Sequence, residues 1–194
     1  MAETGLLERL LPRPDRDPLG YAFARILEAV IEAVLALEFL ERGFTRNAAG
    51  KAFVAWRALI AGLLALERER LLGILRGEER RWLLEKGVPR VPSSWLKPLS
   101  MLLERIGYTG LHGYTSVALD LHDYQYHGPD PDMALSRYRG RREAAADVVY
   151  LLSRLVEAVE AVEPRLREAG GWTGEHGEAL GKLRERFRGG HAGG

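Results

Sequence analysis

The chain has 194 residues, a formal charge of +1, 28% charged residues and no cysteine. That length fits a single domain with one buried core, and the near-neutral balance gives no global field to draw in a polyanion, so any nucleic-acid contact must be local. The missing thiols exclude disulfides, thiolate metal sites and cysteine nucleophiles.

The cations are unevenly chosen, with 24 arginines against Lys51, Lys86, Lys97 and Lys182. Such a bias fits either a GC-rich genome or ion-pair networks selected at high temperature. The first residues, Met1 to Leu11, carry Glu3, Glu8 and Arg9 and lack a basic start followed by an apolar core. No secretory signal is read there, and a cytoplasmic location is expected. The most apolar stretch, Ala52 to Leu66, contains Arg57 and falls short of the roughly 20 residues of a membrane span. It is read as a buried helix, with no membrane association.

A proline-rich lead-in (Pro12, Pro14, Pro18) brings the chain to Asp17, which can cap a helix that has Pro18 in its first position. Phe23, Ile26, Leu27, Val30, Ile31, Val34, Leu37 and Leu40 recur at three- and four-residue spacing, so this helix is expected to reach about Arg42. Gly43 suits the left-handed position past a helix end, and Thr45 is expected to cap the next helix, closing an antiparallel hairpin. The second helix is expected to reach Leu75. Gly77 interrupts it before a charged helical piece around Glu78 to Lys86, which Gly87 and the Pro89 to Pro92 run should end. Arg57, alone in an apolar run, is expected to pair with Glu28 or Glu32.

Ser94 can cap a third helix that carries Pro98 in its first turn and stops near Gly107. A fourth should run from about Leu111 to Tyr126, stopped by Gly128-Pro129. A fifth is expected from about Arg141 to Glu163, where Pro164 ends or kinks it, and a short amphipathic helix is expected around Glu178 to Phe187. No strand pattern or internal repeat is present. The prediction is an all-α domain over residues 1–188, with a flexible glycine-rich tail at 189–194.

Chemistry concentrates in Leu121-His122-Asp123-Tyr124-Gln125-Tyr126-His127-Gly128-Pro129-Asp130, at the end of the fourth helix. Histidine suits proton transfer near neutrality, and Asp123, four residues before His127, can orient that imidazole. The same segment also reads as a packed helix end, with Tyr124 and Tyr126 in the core. His112, His122, Asp123, His127 and Asp147 are potential metal ligands, but His122 and His127 lie about 140° apart on a helix. No metal or other cofactor is therefore assigned; an adjacent His-Asp pair occurs in metal phosphohydrolases, but their other, widely spaced ligand motifs are not evident. A phosphate loop is excluded, because Gly43 and Gly50 lack the accompanying Gly and Lys-Ser/Thr. Ser136 and Ser153 lack a Gly-x-Ser-x-Gly setting. Downstream, Arg137, Arg139, Arg141 and Arg142 surround Tyr138, a pattern that can hold phosphates while a base stacks on tyrosine.

The hairpin segment Arg46-Asn47-Ala48-Ala49-Gly50-Lys51-Ala52-Phe53, with Ala55-Trp56-Arg57, resembles HEPN domains, most closely the archaeal PaREP-type proteins. The His122 to Asp130 segment and Ser136-Arg137-Tyr138 are similar to the same group, and together these cover about Gly20 to Val162. The resemblance implies a bundle of four or five helices built on the hairpin, commonly a homodimer, in a superfamily whose active members are metal-independent ribonucleases. Their motif is an Arg, a polar residue and, a few positions on, a His. Asp123 matches the polar position and His127 the catalytic His, whereas His122 stands where the Arg belongs. Arginine supplies a permanent bidentate charge to phosphate and histidine does not. Either activity is lost or Arg137 or Arg105 fills the vacancy. The expectation is therefore binding of RNA or a nucleotide-like anion through His122, His127, Arg137, Arg105, Tyr124, Tyr126 and Tyr138 with little catalysis. The alternatives are a ribonuclease using His127 and a structural dimerisation module.

Overall fold

A computed structural model describes residues 8–189, and every described regular element is helical. Residues 1–7 and 190–194 lie outside the described residues, and with them most of the stretch read for a signal and of the glycine-rich tail. Eight helices of six residues or more follow one another: α1 (Pro18–Glu41), α2 (Thr45–Leu66), α3 (Arg68–Ile74), α4 (Gly77–Trp82), α5 (Leu96–Glu104), α6 (Leu111–His127), α7 (Arg141–Glu168) and α8 (Gly174–Gly189).

The hairpin forms as its local chemistry dictates. The Asp17 carboxylate accepts from the Gly20 N–H at 2.8 Å, and Pro18 opens α1. At the other end Gly43 has φ +78°, its N–H donates to the Leu40 carbonyl and the Phe44 N–H to that of Phe39, while the two phenylalanine rings meet edge to face. Phe44 closes this motif and immediately becomes the residue before α2. Thr45 is thereby drawn into the first turn of α2 and buried, and does not cap it.

Helix α2 is the centre of the bundle, packing on α1, α5, α6 and α7. It is long and apolar enough to cross a membrane by composition, but 78% of its most apolar window is buried inside the bundle. Small residues let neighbours approach. A Cβ on Gly62 would lie 2.7 Å from Ile26 Cγ1 and 3.2 Å from the Ala22 carbonyl, and one on Gly50 would strike the Gln125 amide. Trp56, fully buried in α2, donates its Nε1–H to Thr115 Oγ1 of α6 at 2.8 Å. Thr115 Oγ1 lies 2.6 Å from Ser100 Oγ of α5, which donates to the Leu96 carbonyl at 2.9 Å. Because the Ser100 proton is committed to a carbonyl, Thr115 must be the donor to Ser100, so the relay runs in one direction from indole to carbonyl.

Beyond Thr45, four boundaries between α2 and the end of α7 differ from the sequence expectation. The helix expected to reach Leu75 breaks at Glu67, whose buried carboxylate faces Arg70, Arg165 and Tyr108. Gly87 does not stop the charged piece: α4 runs on through a π turn (Leu83–Gly87) and one α turn (Val88–Arg90) to Val91, at φ +39°. Ser94 lies inside a 3-10 turn (Ser93–Trp95), and α5 starts after it. Pro164 sits within α7, which continues to Glu168, because the proline faces solvent while Val162 and Leu166 stay buried on the inner face.

Helix α8 starts before the expected Glu178 because His176 anchors it to α1. His176 Nε2 lies 3.0 Å from the Phe23 carbonyl and Nδ1 2.9 Å from Thr173 Oγ1, so Nε2 carries the proton and Nδ1 accepts. Burial lowers its pKa below the ordinary 6.5, with the Phe23 carbonyl and Glu175 opposing. A depressed histidine pKa means that the unfolded chain binds the proton more readily, so stability is complete above about pH 6.5 and falls as pH drops below it. Denaturation midpoints across pH 5 to 8 should therefore show an acid loss that His176→Gln reduces. Thr115→Val, which strands the Trp56 indole N–H, should cost about 1–3 kcal/mol in chemical denaturation; an unchanged midpoint would refute the relay's contribution.

Candidate nucleic-acid interface

The end of α6 carries the chemistry singled out in the sequence, and packing against α2 sorts those side chains to different sides. His122 faces α2: its ring stacks on Phe53 at 4.0 Å and 24°, meets Tyr126 edge-on at 5.3 Å, and its Nδ1 lies 3.3 Å from Gln125 Nε2. Burial lowers its pKa, with Asp123 opposing and Arg57 reinforcing the shift, so His122 is an uncharged ring on the side of the core. The Gln125 side chain can lie here because Gly50 has no Cβ to meet it.

Asp123, Tyr126 and His127 are exposed, and no hydrogen bond or ion pair joins Asp123 to His127 among the described residues. Tyr124 and Tyr138 are not available to stack on a base: both are buried, packed edge to face at 5.4 Å, and the Tyr138 hydroxyl donates to Asp147 at 2.8 Å. Of the two tyrosines read as possible core, only Tyr124 is inside; Tyr126 is 62% exposed. Arg137 is exposed in the loop after α6, where its charge acts on Asp120. Arg105 follows α5 beside the start of α6, and 17 residues of helix separate that end from His127, about 25 Å at 1.5 Å per residue. It cannot fill the vacant Arg position.

Arg57 pairs with neither expected carboxylate. Glu28 is held by Arg25 at 2.7 Å and Glu32 by Lys51 at 2.8 Å, while the Arg57 guanidinium lies over the Phe53 ring at 5.8 Å, near His122. Among the described residues no three histidine or acidic side chains come together as a metal site.

Arg46 is the residue that sequence reasoning placed in a motif without a role. Its Nε donates to the Gln125 carbonyl at 2.9 Å and its Nη2 to the Tyr126 carbonyl at 2.5 Å, so a cation from the first turn of α2 caps the C-terminus of α6. Gly128, at φ +72°, then turns the chain away, its N–H donating to the Tyr124 carbonyl. The available signal was an arginine early in one helix of a bundle, which specifies no partner.

Several carboxylates around this end are held by groups other than the neighbouring arginines. Asp130 accepts from the backbone N–H groups of Leu135, Ser136 and Asp132, and the first of these contributes most to holding its carboxyl below the usual range. Glu143 accepts from the Arg139 N–H, Asp147 from Tyr138, and Glu41 pairs with Arg186. Arg42, Arg137, Arg139, Arg141 and Arg142 have no ion pair among the described residues, and Arg141 reaches the Gly43 carbonyl at 3.4 Å. Beside them a 510 Å³ cavity is lined by Phe39, Arg46, Asn47, Gly50, Lys51, Val54 and Gln125. Arginines without ion pairs thus follow α6, whose last turn carries exposed Tyr126 and His127.

The model of the archaeal PaREP1/PaREP8 family matches residues 24–149, from within α1 to within α7. No curated protein and no solved structure matches. The matched span includes both Arg46 and the helix end it caps. Arg46→Leu is expected to lower stability by about 1 kcal/mol, discounted for exposure, and to speed amide exchange at Gly128. Unchanged exchange there would show that the cap carries no weight.

Proposed function

This chain belongs to the archaeal PaREP1/PaREP8 family, and we propose that it is a HEPN-like helical module that binds RNA or a nucleotide-like anion without efficient catalysis. The observation that carries this is that Arg137, Arg139, Arg141 and Arg142 make no ion pair among the described residues, while Asp130 and Glu143 accept from backbone N–H groups, Asp147 from the Tyr138 hydroxyl and Glu41 from Arg186. Guanidinium groups in that state favour phosphate oxygens, which they grip through two parallel N–H bonds. Exposed Tyr126 and His127 offer ring faces to a base beside the phosphates. Near-zero net charge does not oppose this, because the field that matters is that of the local surface.

Binding is favoured over cleavage by the same geometry. A ribonuclease of the kind the sequence resembles brings a histidine and an arginine to one phosphate. Here His122 stands at the arginine position, uncharged and stacked on Phe53, and among the described residues no carboxylate is bonded to His127. Arg57, whose charge acts on His122, lies over the Phe53 ring.

Fluorescence anisotropy of a labelled single-stranded RNA, in chelator and over a salt series, tests the proposal. Arg137→Gln/Arg142→Gln together are expected to weaken binding by about tenfold or more and to reduce the log–log salt slope by about 1.4, roughly 0.7 for each lost phosphate contact. Arg80→Gln, in the last turn of α4, should leave both unchanged. Absence of binding at low salt, or equal binding by the double variant, would overturn the reading. Cleavage abolished by His127→Ala would replace it with catalysis.

A further inference from the structure

At the opposite end of α2 from Arg46, the break at Glu67 organises a second polar cluster. The Glu67 side chain is fully buried and accepts from Arg70 at 3.0 Å, from the Tyr108 hydroxyl at 2.7 Å and from Arg165 of α7. Burial alone would raise its pKa, but Arg165, Tyr108 and Arg70 together outweigh that and hold it lowered. The carboxylate is thus satisfied, and the two guanidiniums that satisfy it remain about half exposed, at 55% and 46% of their side-chain surface. Arg70 spends its Nη2 on the Ile106 carbonyl, and beyond Glu67 and the neighbouring Tyr108 hydroxyl Arg165 meets no carboxylate or carbonyl among the described residues.

These groups border a 540 Å³ groove, with Tyr108, Tyr114 and Arg154 also in its wall. Arg154 is tied to Glu157 at 2.8 Å and lies over the Tyr150 ring. Within the groove three guanidiniums, of Arg70, Arg154 and Arg165, stand against two carboxylates, of Glu67 and Glu157. One positive charge is left over. A purely structural tie between α2 and α7 needs a single guanidinium on Glu67; a second, half exposed and at the rim of a concave surface with two aromatic rings, is what an oxyanion with a planar body would require.

We propose that this groove binds a small phosphate monoester carrying a planar ring, of the mononucleotide class, with its phosphate on Arg70 and Arg165 and its ring against Tyr108 and Tyr114. Glu67 then serves to hold both guanidiniums in place before the ligand arrives, which lowers the ordering cost of binding. The site is independent of the RNA surface at the end of α6.

The test is titration of the full chain with adenosine monophosphate, inorganic phosphate and adenosine, followed by calorimetry and by amide NMR shifts. Adenosine monophosphate is expected to bind most tightly, phosphate more weakly and adenosine hardly at all, with shifts centred on Tyr108, Thr109 and Tyr114. Arg165→Gln should weaken adenosine monophosphate binding by about tenfold. Since that change also touches Glu67, Arg154→Gln, which leaves the Glu67 contacts alone, provides a second variant and should weaken binding several-fold with unchanged thermal stability. Arg137→Gln/Arg142→Gln should have no effect, which separates this site from the RNA surface. Absence of saturable binding at millimolar adenosine monophosphate, or shifts confined to the end of α6, would overturn the proposal.

Discussion

Burial of most of α2 is the constraint from which the rest of the structure follows. A helix whose accessible side narrows to the stripe of Asn47, Lys51, Val54 and Arg57 is stable only inside a shell of neighbours, and each neighbour must find a fitting surface on it. Close approach is possible where α2 is small: α1 lies against Gly62, and the Gln125 side chain of α6 lies over Gly50. Where α2 is large and polar, at Trp56, it demands a hydrogen-bond acceptor, and Thr115 supplies one while passing its own proton to Ser100. Shape and satisfied polarity together set where α5 and α6 lie along the central helix.

Both polar surfaces of functional interest are consequences of how α2 begins and ends. In its first turn Arg46 reaches the last carbonyls of α6, so the loop that follows leaves the helix beside the α1–α2 connection. Around its last residue the buried Glu67 gathers guanidiniums from α3 and α7. The two ends differ in how charge is compensated. At Glu67 a carboxylate organises arginines by direct pairing. Near α6 Asp130 and Glu143 accept from backbone N–H groups and Asp147 from a phenol, and the arginines of the following loop make no ion pair among the described residues.

Periodicity and local capping chemistry made much of the fold legible. The eight-residue apolar stripe from Phe23 to Leu40, the Asp17 cap and the left-handed Gly43 specify the hairpin through interactions no more than a few residues apart. Boundaries were misread where a distant partner outweighed a local signal. Pro164 and Gly87 are breakers in isolation, yet buried neighbours such as Val162, Leu166 and Leu83 carry the helix past them. Thr45 and Ser94 are good caps by composition, but the turns on either side used other geometry. The His122 to His127 cluster was visible as a concentration of capable residues. That His122 would stack on Phe53 and Tyr138 would enter the core was not.

By itself the sequence determined the helical class, the α1–α2 hairpin, the extent of α6 and the local richness in histidine, tyrosine and arginine, because each is written in spacings within one or two helical turns. The tertiary structure alone decided which of those residues meet. Whether an arginine caps a helix, neutralises a carboxylate or stays free depends on which groups another element brings within about 3 Å. Arg46, Arg165 and Arg142 are chemically identical, and no local pattern distinguishes the cap, the buried pair and the unpaired surface cation.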